Sequence, residues 1–334
     1  MRKKVLASGL VPVVGTWVEQ PNATLLTELQ EELKKVADVE ARRPASAQEW
    51  AEAIKGVNVI AGGARVEENF LKTADKLEMI QTFGIGYDRI DVQACTKKGV
   101  IVCNVAEIYS EPVAQHAWAL ILDLSKNVTK ADKSMRAGAW QSQDWMGFQL
   151  WGKTLGIIGL GANGGRIAMK GRLAFGMRVL AFDPYVLPAG AQRWGVELAS
   201  LERVLKESDV VALAVLLTAE TRHMIGEKEL SLMKKSAILI NTCRGAVIDE
   251  AALIKCLQRG GIRGAGLDVF EQEPLSPNNP LLKMENVTLT PHIASSAIEA
   301  VEETYRGGVK NMIAYLEGRR PNWMVNPAAY KRSL

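Results

Sequence analysis

Two hydrophobic rhythms take turns along this chain. Short unbroken apolar runs, of the kind that make strands buried on both faces, alternate with stretches whose apolar positions recur every three or four residues. In the first hundred residues the runs 4–10, 57–61, 77–82 and 100–103 read as strands. Between the first two, "NATLLTELQEELKKV" has helical spacing, and Asn22 stands where an N-cap belongs. "EPVAQHAWALILDLSKNVTKADKSMRAGAW" then predicts one long helical stretch with a continuous apolar face. From Thr154 a second series begins with "TLGIIGL", followed by "RVLAFD", "VVALAV", "AILINT", "GAGLDV" and "NVTLT". A final helix, "AIEAVEETYRGGVKNMIAYLEG", closes it.

Strands alternating with helices predict an α/β fold of parallel sheets with helical crossovers. Six strands in the second series are what a doubly wound, nucleotide-binding sheet requires. The expected boundary lies near Asn104, with a return near Ser295. No internal repeat or low-complexity segment interrupts the pattern.

Composition narrows the class. A chain of 334 residues suits one large or two medium domains, and 48% hydrophobic with 23% charged residues is ordinary for a globular protein. The net charge of +4 is spread along the chain without a long basic run, so nucleic-acid binding has no support and a small anionic substrate would be compatible. Cys95, Cys103, Cys243 and Cys256 form no CxxC pair and no ligand cluster with histidine, so no metal is expected and a reducing cytoplasm is the simplest location. The amino-terminal "MRKKVLASGLVPVVG" mimics a secretion signal, but Pro12 breaks its apolar run and "KKVLASGL" reads equally as a first strand. No run approaches a membrane span in length, so no membrane association is expected.

The most specific local signal is "LGIIGLGANGGRIAMKGRLAFG", where Gly159, Gly161 and Gly164 stand in GxGxxG spacing between a strand and a helix. Such a loop needs its first glycine for a tight turn, its second for close approach to a pyrophosphate and its third for helix packing. The N–H groups at the helix start, with Asn163 among them, then hold the phosphates. Alone, the motif is only a glycine-rich turn. Here the next strand ends in Asp183, nineteen residues beyond Gly164, where a carboxylate accepts ribose hydroxyls and repels a 2′-phosphate. No arginine follows in "DPY", so NAD is expected rather than NADP.

Three later strand ends carry charged groups. "AILINTCRG" delivers Arg244, "GAGLDVFEQEP" delivers Asp268 and Glu273, and "NVTLTPH" delivers His292. Each has a bland reading as a surface ion pair, a solvated loop acid or a helix-entry residue. Together, at the ligand-binding edge of a nucleotide sheet, they read as a site. Hydride transfer to a carbonyl leaves an alkoxide that must be protonated, and histidine titrates near neutrality. A glutamate on the second ring nitrogen would fix the tautomer, and an arginine fork would grip a carboxylate. His292, Glu273 and Arg244 therefore fit interconversion of a 2-oxo acid and a 2-hydroxy acid.

With these motifs the chain resembles the D-isomer-specific 2-hydroxyacid dehydrogenases over nearly its whole length. The resemblance is most specific in "GKTLGIIGLGANGGRIA", "ILINTCRGAVIDEAAL", "GAGLDVFEQEPL" and "LTPHIASS". It implies two Rossmann-like domains. Residues 1–104 and 296–334 would form the substrate domain, 105–295 the NAD-binding domain, and two copies a homodimer. It further implies that His292 is the acid/base, Glu273 its partner and Arg244 the substrate anchor. The amides of Ile85 and Gly86 in "GIGYD" would hold the substrate carboxylate, while Thr218, Thr242, Cys243 and Asp268 would lie around the cofactor.

Departures from the family pattern are also expected to matter. Ala162 and Asn163 stand where a basic and an aliphatic residue are usual, Leu216 where proline is common, and Gln115 where glutamate is usual. Gly63 falls where phosphoglycerate-type members carry arginine, and the chain ends soon after "NWMVNP", so phosphoglycerate is disfavoured, although Arg65 could reach a phosphate. His116 reads as a packed or capping residue, and His223 is assigned no chemistry. Trp140, Trp145, Phe148 and Trp151 read as a dimer-clasping arm. Two other functions share the same residues: an NAD(H)-sensing corepressor-like binding protein, and a dehydrogenase of phosphite or formate.

Overall fold

The computed structural model describes residues 2–11, 20–62, 64–105, 107–140 and 145–330. Pro12 and Gly63 lie outside the described residues. The chain folds into two compact units, one of Met1–Tyr109 with Ser296–Leu334 and one of Ser110–Ser295.

In the first unit the described strands are β1 (Lys4–Leu6), β2 (Asp38–Glu40), β3 (Val59–Ala61), β4 (Met79–Gln81) and β5 (Ile101–Cys103). They pair in the order β2-β1-β3-β4-β5, all parallel. The first strand is shorter than its apolar run predicts. After Leu6 the chain tightens into a 3-10 turn, Ser8–Leu10. Close packing explains the turn: a Cβ on Gly9 would lie 2.8 Å from the Phe83 ring. The edge strand β2 has only Val39 partly covered, too weak a pattern to read from sequence. The helix Ala23–Lys34 forms where expected, with Asn22 Oδ1 accepting the Leu25 N–H at 2.9 Å and Leu25, Leu26, Leu29 and Leu33 buried.

The loop after β4 carries Ile85 and Gly86, and its start is clamped. Phe83 stacks on Tyr305 at 4.3 Å between ring centroids, and a Cβ on Gly308 would meet it at 2.6 Å. The loop carbonyls turn inward: Gly84 O accepts the Val105 N–H, and Ile85 O accepts Asn104 Nδ2. Arg65, a candidate to reach a phosphate, is largely exposed and pairs with Glu67 at 2.7 Å.

The second unit holds β6 (Thr154–Ile158), β7 (Arg178–Phe182), β8 (Glu197–Leu198), β9 (Val210–Leu213), β10 (Ile238–Asn241), β11 (Gly264–Leu267) and β12 (Val287–Leu289). Their order is β12-β11-β10-β9-β6-β7-β8, all parallel, so the sequence switches direction between β6 and β9. The six expected strands are present, and the added β8 is a two-residue edge. Successive residues face opposite sides, each of which is covered. Leu155, Ile157, Val179 and Ala181 pack with Trp118 and Ile121 on one face. Ile158, Leu180, Val211 and Leu239 pack with Val204, Leu230 and Leu253 on the other.

The long helical stretch is two helices. Ser110–Lys126 ends at Asn127, whose φ of 54° is left-handed, and Val128–Arg136 follows. The first buries Val113, Ala117, Trp118, Leu120 and Ile121, whereas the second buries nothing, so the apolar face does not continue. Asn127 tolerates the left-handed turn, with its amide reaching the carbonyls of Trp145 and Met146. The first helix lies close on β11: a Cβ on Gly266 would meet Leu120 Cβ at 2.9 Å.

Candidate active site

All strands of the second unit run in one direction, so their carboxyl ends share one edge, the edge where open sheets bind ligands. At the end of β6 the three glycines meet three different demands. Gly159 has φ +94°, and a Cβ there would sit 2.6 Å from Ala214 O. A Cβ on Gly164 would fall 1.9 Å from Gly159 O, so only glycine lets the helix Ala162–Phe175 pack on the turn. Gly161 is the opposite case: nothing lies within 4 Å of where its Cβ would be. It caps the helix without a side-chain bond, leaving the first-turn N–H groups, including that of Asn163, to an anion.

Asp183, at the end of β7, is locked beside this loop. Its Oδ2 accepts the Leu160 N–H at 2.8 Å and its Oδ1 the Tyr185 N–H at 2.9 Å, which fixes the carboxylate's orientation while lone pairs remain for a ribose. An open glycine, uncapped amides and an oriented acid fit a dinucleotide. Thr218, in the loop after β9, is exposed and exchanges hydrogen bonds with Thr221.

The turn after β10 is shaped by a residue that the sequence reading passed over. Asn241 is fully buried; its Nδ2 donates to Arg244 O at 2.9 Å and its Oδ1 accepts the Cys243 N–H at 3.1 Å. A buried asparagine at a strand end was the available signal. Thr242 and Cys243 are both nearly buried. Burial pushes the Cys243 thiol up to about 11, so it stays protonated and is no nucleophile. Gly245 must be glycine, because a Cβ there would strike the Phe270 carbonyl carbon at 1.9 Å. That approach seats the Arg244 turn directly on the loop that carries Glu273.

Glu273 and His292 meet. His292 Nδ1 lies 2.7 Å from Glu273 Oε2, and Glu273 Oε1 accepts the Phe270 N–H at 3.0 Å. The hydrogen bond to Glu273 raises the His292 pKa from its usual value, against an opposing effect of burial and of the Arg244 charge. Burial pushes the Glu273 carboxyl up, but the His292 hydrogen bond, the Phe270 amide and the charges of His292 and Arg244 hold it below the usual range. Arg244 is thus near enough for its charge to act on both partners. The three predicted strand ends converge.

Asp268, expected beside the cofactor, is fully buried. Its Oδ1 accepts Thr290 Oγ1 at 2.6 Å and the Ile293 N–H at 2.9 Å, and its Oδ2 accepts the Ala294 N–H at 2.9 Å. His116 joins this group, with Nε2 2.9 Å from Thr290 Oγ1 and 3.4 Å from Asp268 Oδ1. His223 pairs with Glu271 at 2.6 Å. Among the described residues no cluster could hold a metal ion.

A dinucleotide loop whose sheet brings an imidazole–carboxylate pair and an arginine to the same edge defines a dinucleotide-dependent oxidoreductase. The model of the D-isomer specific 2-hydroxyacid dehydrogenase NAD binding domain matches residues 118–294. A glyoxylate reductase of Pyrococcus furiosus is 38% identical over 99% of this chain and 97% of its own. Among solved structures, a D-lactate dehydrogenase of Aquifex aeolicus complexed with NAD and lactic acid is 33% identical, with TM-score 0.80 over 95% of this chain and 96% of its own. A glyoxylate reductase of Paecilomyes thermophila superposes with TM-score 0.87 at 28% identity, over 97% of this chain and 98% of its own. The chain belongs to the D-isomer specific 2-hydroxyacid dehydrogenase family. It is an NAD-dependent D-2-hydroxyacid dehydrogenase, with two parallel-sheet Rossmann-like units as expected.

Proposed function

We propose that the enzyme works as a 2-oxoacid reductase on small substrates, glyoxylate first among them, with His292 as the proton donor. The observation that carries this reading is the 2.7 Å contact between His292 Nδ1 and Glu273. Bound NADH supplies the hydride that reduces the carbonyl carbon. Glu273 engages Nδ1, so the free Nε2 of the imidazolium faces the carbonyl oxygen and gives up its proton as the alkoxide forms. Arg244 anchors the substrate carboxylate and polarises the adjacent carbonyl. The amides of Ile85 and Gly86, on the clamped loop of the first unit, are proposed as substrate-carboxylate ligands, and the first unit as the substrate domain. Asp183 holds the adenosine ribose, the amides around Gly161 and Asn163 the pyrophosphate, and Thr218, Thr242 and Cys243 line the cofactor's path. Asp268 serves the cofactor indirectly, through the loop it ties down.

The likeness to glyoxylate reductases supports a small substrate. The chain is further proposed to be a cytoplasmic homodimer: all four cysteines are free and buried, and of the expected arm Trp140 and Trp151, with Met146, stand more than 70% exposed, whereas Trp145 is partly buried and Phe148 packs against the core. No helix among the described residues is long and apolar enough to cross a membrane.

His292→Ala tests the reading. Turnover of glyoxylate, hydroxypyruvate and pyruvate should fall by a factor of at least about 100, with the NADH dissociation constant unchanged by fluorescence titration. Near-normal turnover defeats the assignment. NADH binding by the native protein without turnover of any 2-oxo acid would favour the sensor instead, and turnover of phosphite or formate the third reading.

A further inference from the structure

His292 has an unusual backbone. Its φ of 57° is left-handed, a conformation that costs a non-glycine residue about 1 kcal/mol and persists only where neighbours impose it. The bonds that hold it here run mostly to Asp268, with one more from the His292 N–H to Thr290 O at 3.1 Å. The His292 N–H donates to Asp268 O at 2.8 Å, and the Asp268 carboxylate takes the amides of Ile293 and Ala294, the two residues that follow. The buried Asp268 carboxylate therefore helps to hold the turn that presents the imidazole.

What orients that carboxylate is the group of side chains behind it. Burial pushes the Asp268 carboxyl up, but hydrogen bonds from His116, Thr290, Ile293 and Ala294 outweigh burial and hold it below the usual range, so it is ionised. An ionised carboxylate only accepts. Thr290 must then give its single hydroxyl proton to Asp268 at 2.6 Å, which leaves Thr290 Oγ1 as an acceptor toward His116. Nε2 of His116 must carry a proton and donate it. The bonds converge on Asp268: His116 Nε2 donates to Thr290 Oγ1, Thr290 Oγ1 donates to the carboxylate, and the amides of Ile293 and Ala294, just after His292, donate to it from the other side. His116 sits on the helix Ser110–Lys126, 174 residues away from Thr290 in sequence, and Trp118 ties that helix to the helix Ala162–Phe175, its Nε1 donating to Ile167 O.

We propose that His116 is a positioning residue for the reaction: through Thr290 and Asp268 it holds the strained turn that aims His292 at the substrate. The inference rests on the assignment of His292 as proton donor. It gives His116, the first of the chain's three histidines, a donor's role behind the catalytic turn.

The test uses the native enzyme and four variants, with His292→Ala as control. His116→Leu removes the donor at similar volume, and His116→Gln keeps an N–H donor at similar reach. Thr290→Val removes the relay hydroxyl, and Thr290→Ser restores it. His116→Leu and Thr290→Val should each lower kcat roughly ten- to a hundredfold with KM for NADH unchanged. In both, the alkaline limb of kcat/KM for reduction should move to lower pH, because His292 loses its fixed contact with Glu273. The glutamine and serine variants should restore kcat and the limb toward native values. If His116→Leu does not fold, Thr290→Val and Thr290→Ser decide the matter. A loss confined to melting temperature, with kcat and the pH limb unmoved, overturns the relay while an inactive His292→Ala leaves the proton donor standing. An active His292→Ala overturns both.

Discussion

At the scale of single residues, charge and hydrogen bonding around two side chains control the chemistry. In the proposed mechanism reduction takes a proton from His292, so it requires the imidazolium and should fall away as pH rises through the His292 pKa. Glu273 raises that pKa. Glu273→Gln keeps the shape and removes the charge, so the pKa falls and the alkaline limb of kcat/KM for reduction moves to lower pH; an unmoved limb would contradict the pairing. Asp183 is proposed to select the cofactor in the same electrostatic way. Asp183→Ala removes the charge that repels a 2′-phosphate and should raise the ratio of NADPH to NADH kcat/KM by about tenfold or more, measured by initial rates with each cofactor. The identities and spacing of these residues were legible in the sequence because hydride transfer and ribose recognition need those functional groups. Asn241 was not, since its work is to fold the turn beneath Arg244.

At the scale of elements, the strand–loop–helix around β6 separates glycines that serve packing from the glycine that serves the ligand. Gly164→Ala forces a Cβ against a backbone carbonyl at 1.9 Å and should destabilise the protein by about 2 kcal/mol or more. Gly161 has φ −78°, which alanine adopts freely, and open space around it. Gly161→Ala should therefore leave the urea midpoint almost unchanged while weakening NADH binding by about tenfold or more, a penalty of about 1.4 kcal/mol. Equal losses of stability in the two variants would contradict this division. Element existence was readable from hydrophobic period. The break at Asn127 was not, because the residues after it keep a helical polar pattern while their apolar positions find nothing to pack against.

At the scale of the whole molecule, Val128, Met135, Trp140, Met146 and Trp151 are each more than half exposed, and the proposed dimer would cover them. Sedimentation should give twice the mass of a 36.5 kDa chain, and Trp140→Glu with Met146→Glu should shift it toward the monomer; a native monomer at micromolar concentration would refute the dimer. The sequence by itself determined the α/β class, the parallel strands, the glycine loop with its acid and the three charged strand ends. Those depend on local periodicity and short spacings, which a linear chain displays directly. Only the tertiary structure decided that Asp268 is buried and spent on the turn at His292, that His116 faces Thr290 across 174 residues, and that Gly245 lies against Phe270. Such contacts depend on which strand ends and helix faces the sheet order brings together, and that order appears once the hydrophobic faces have packed.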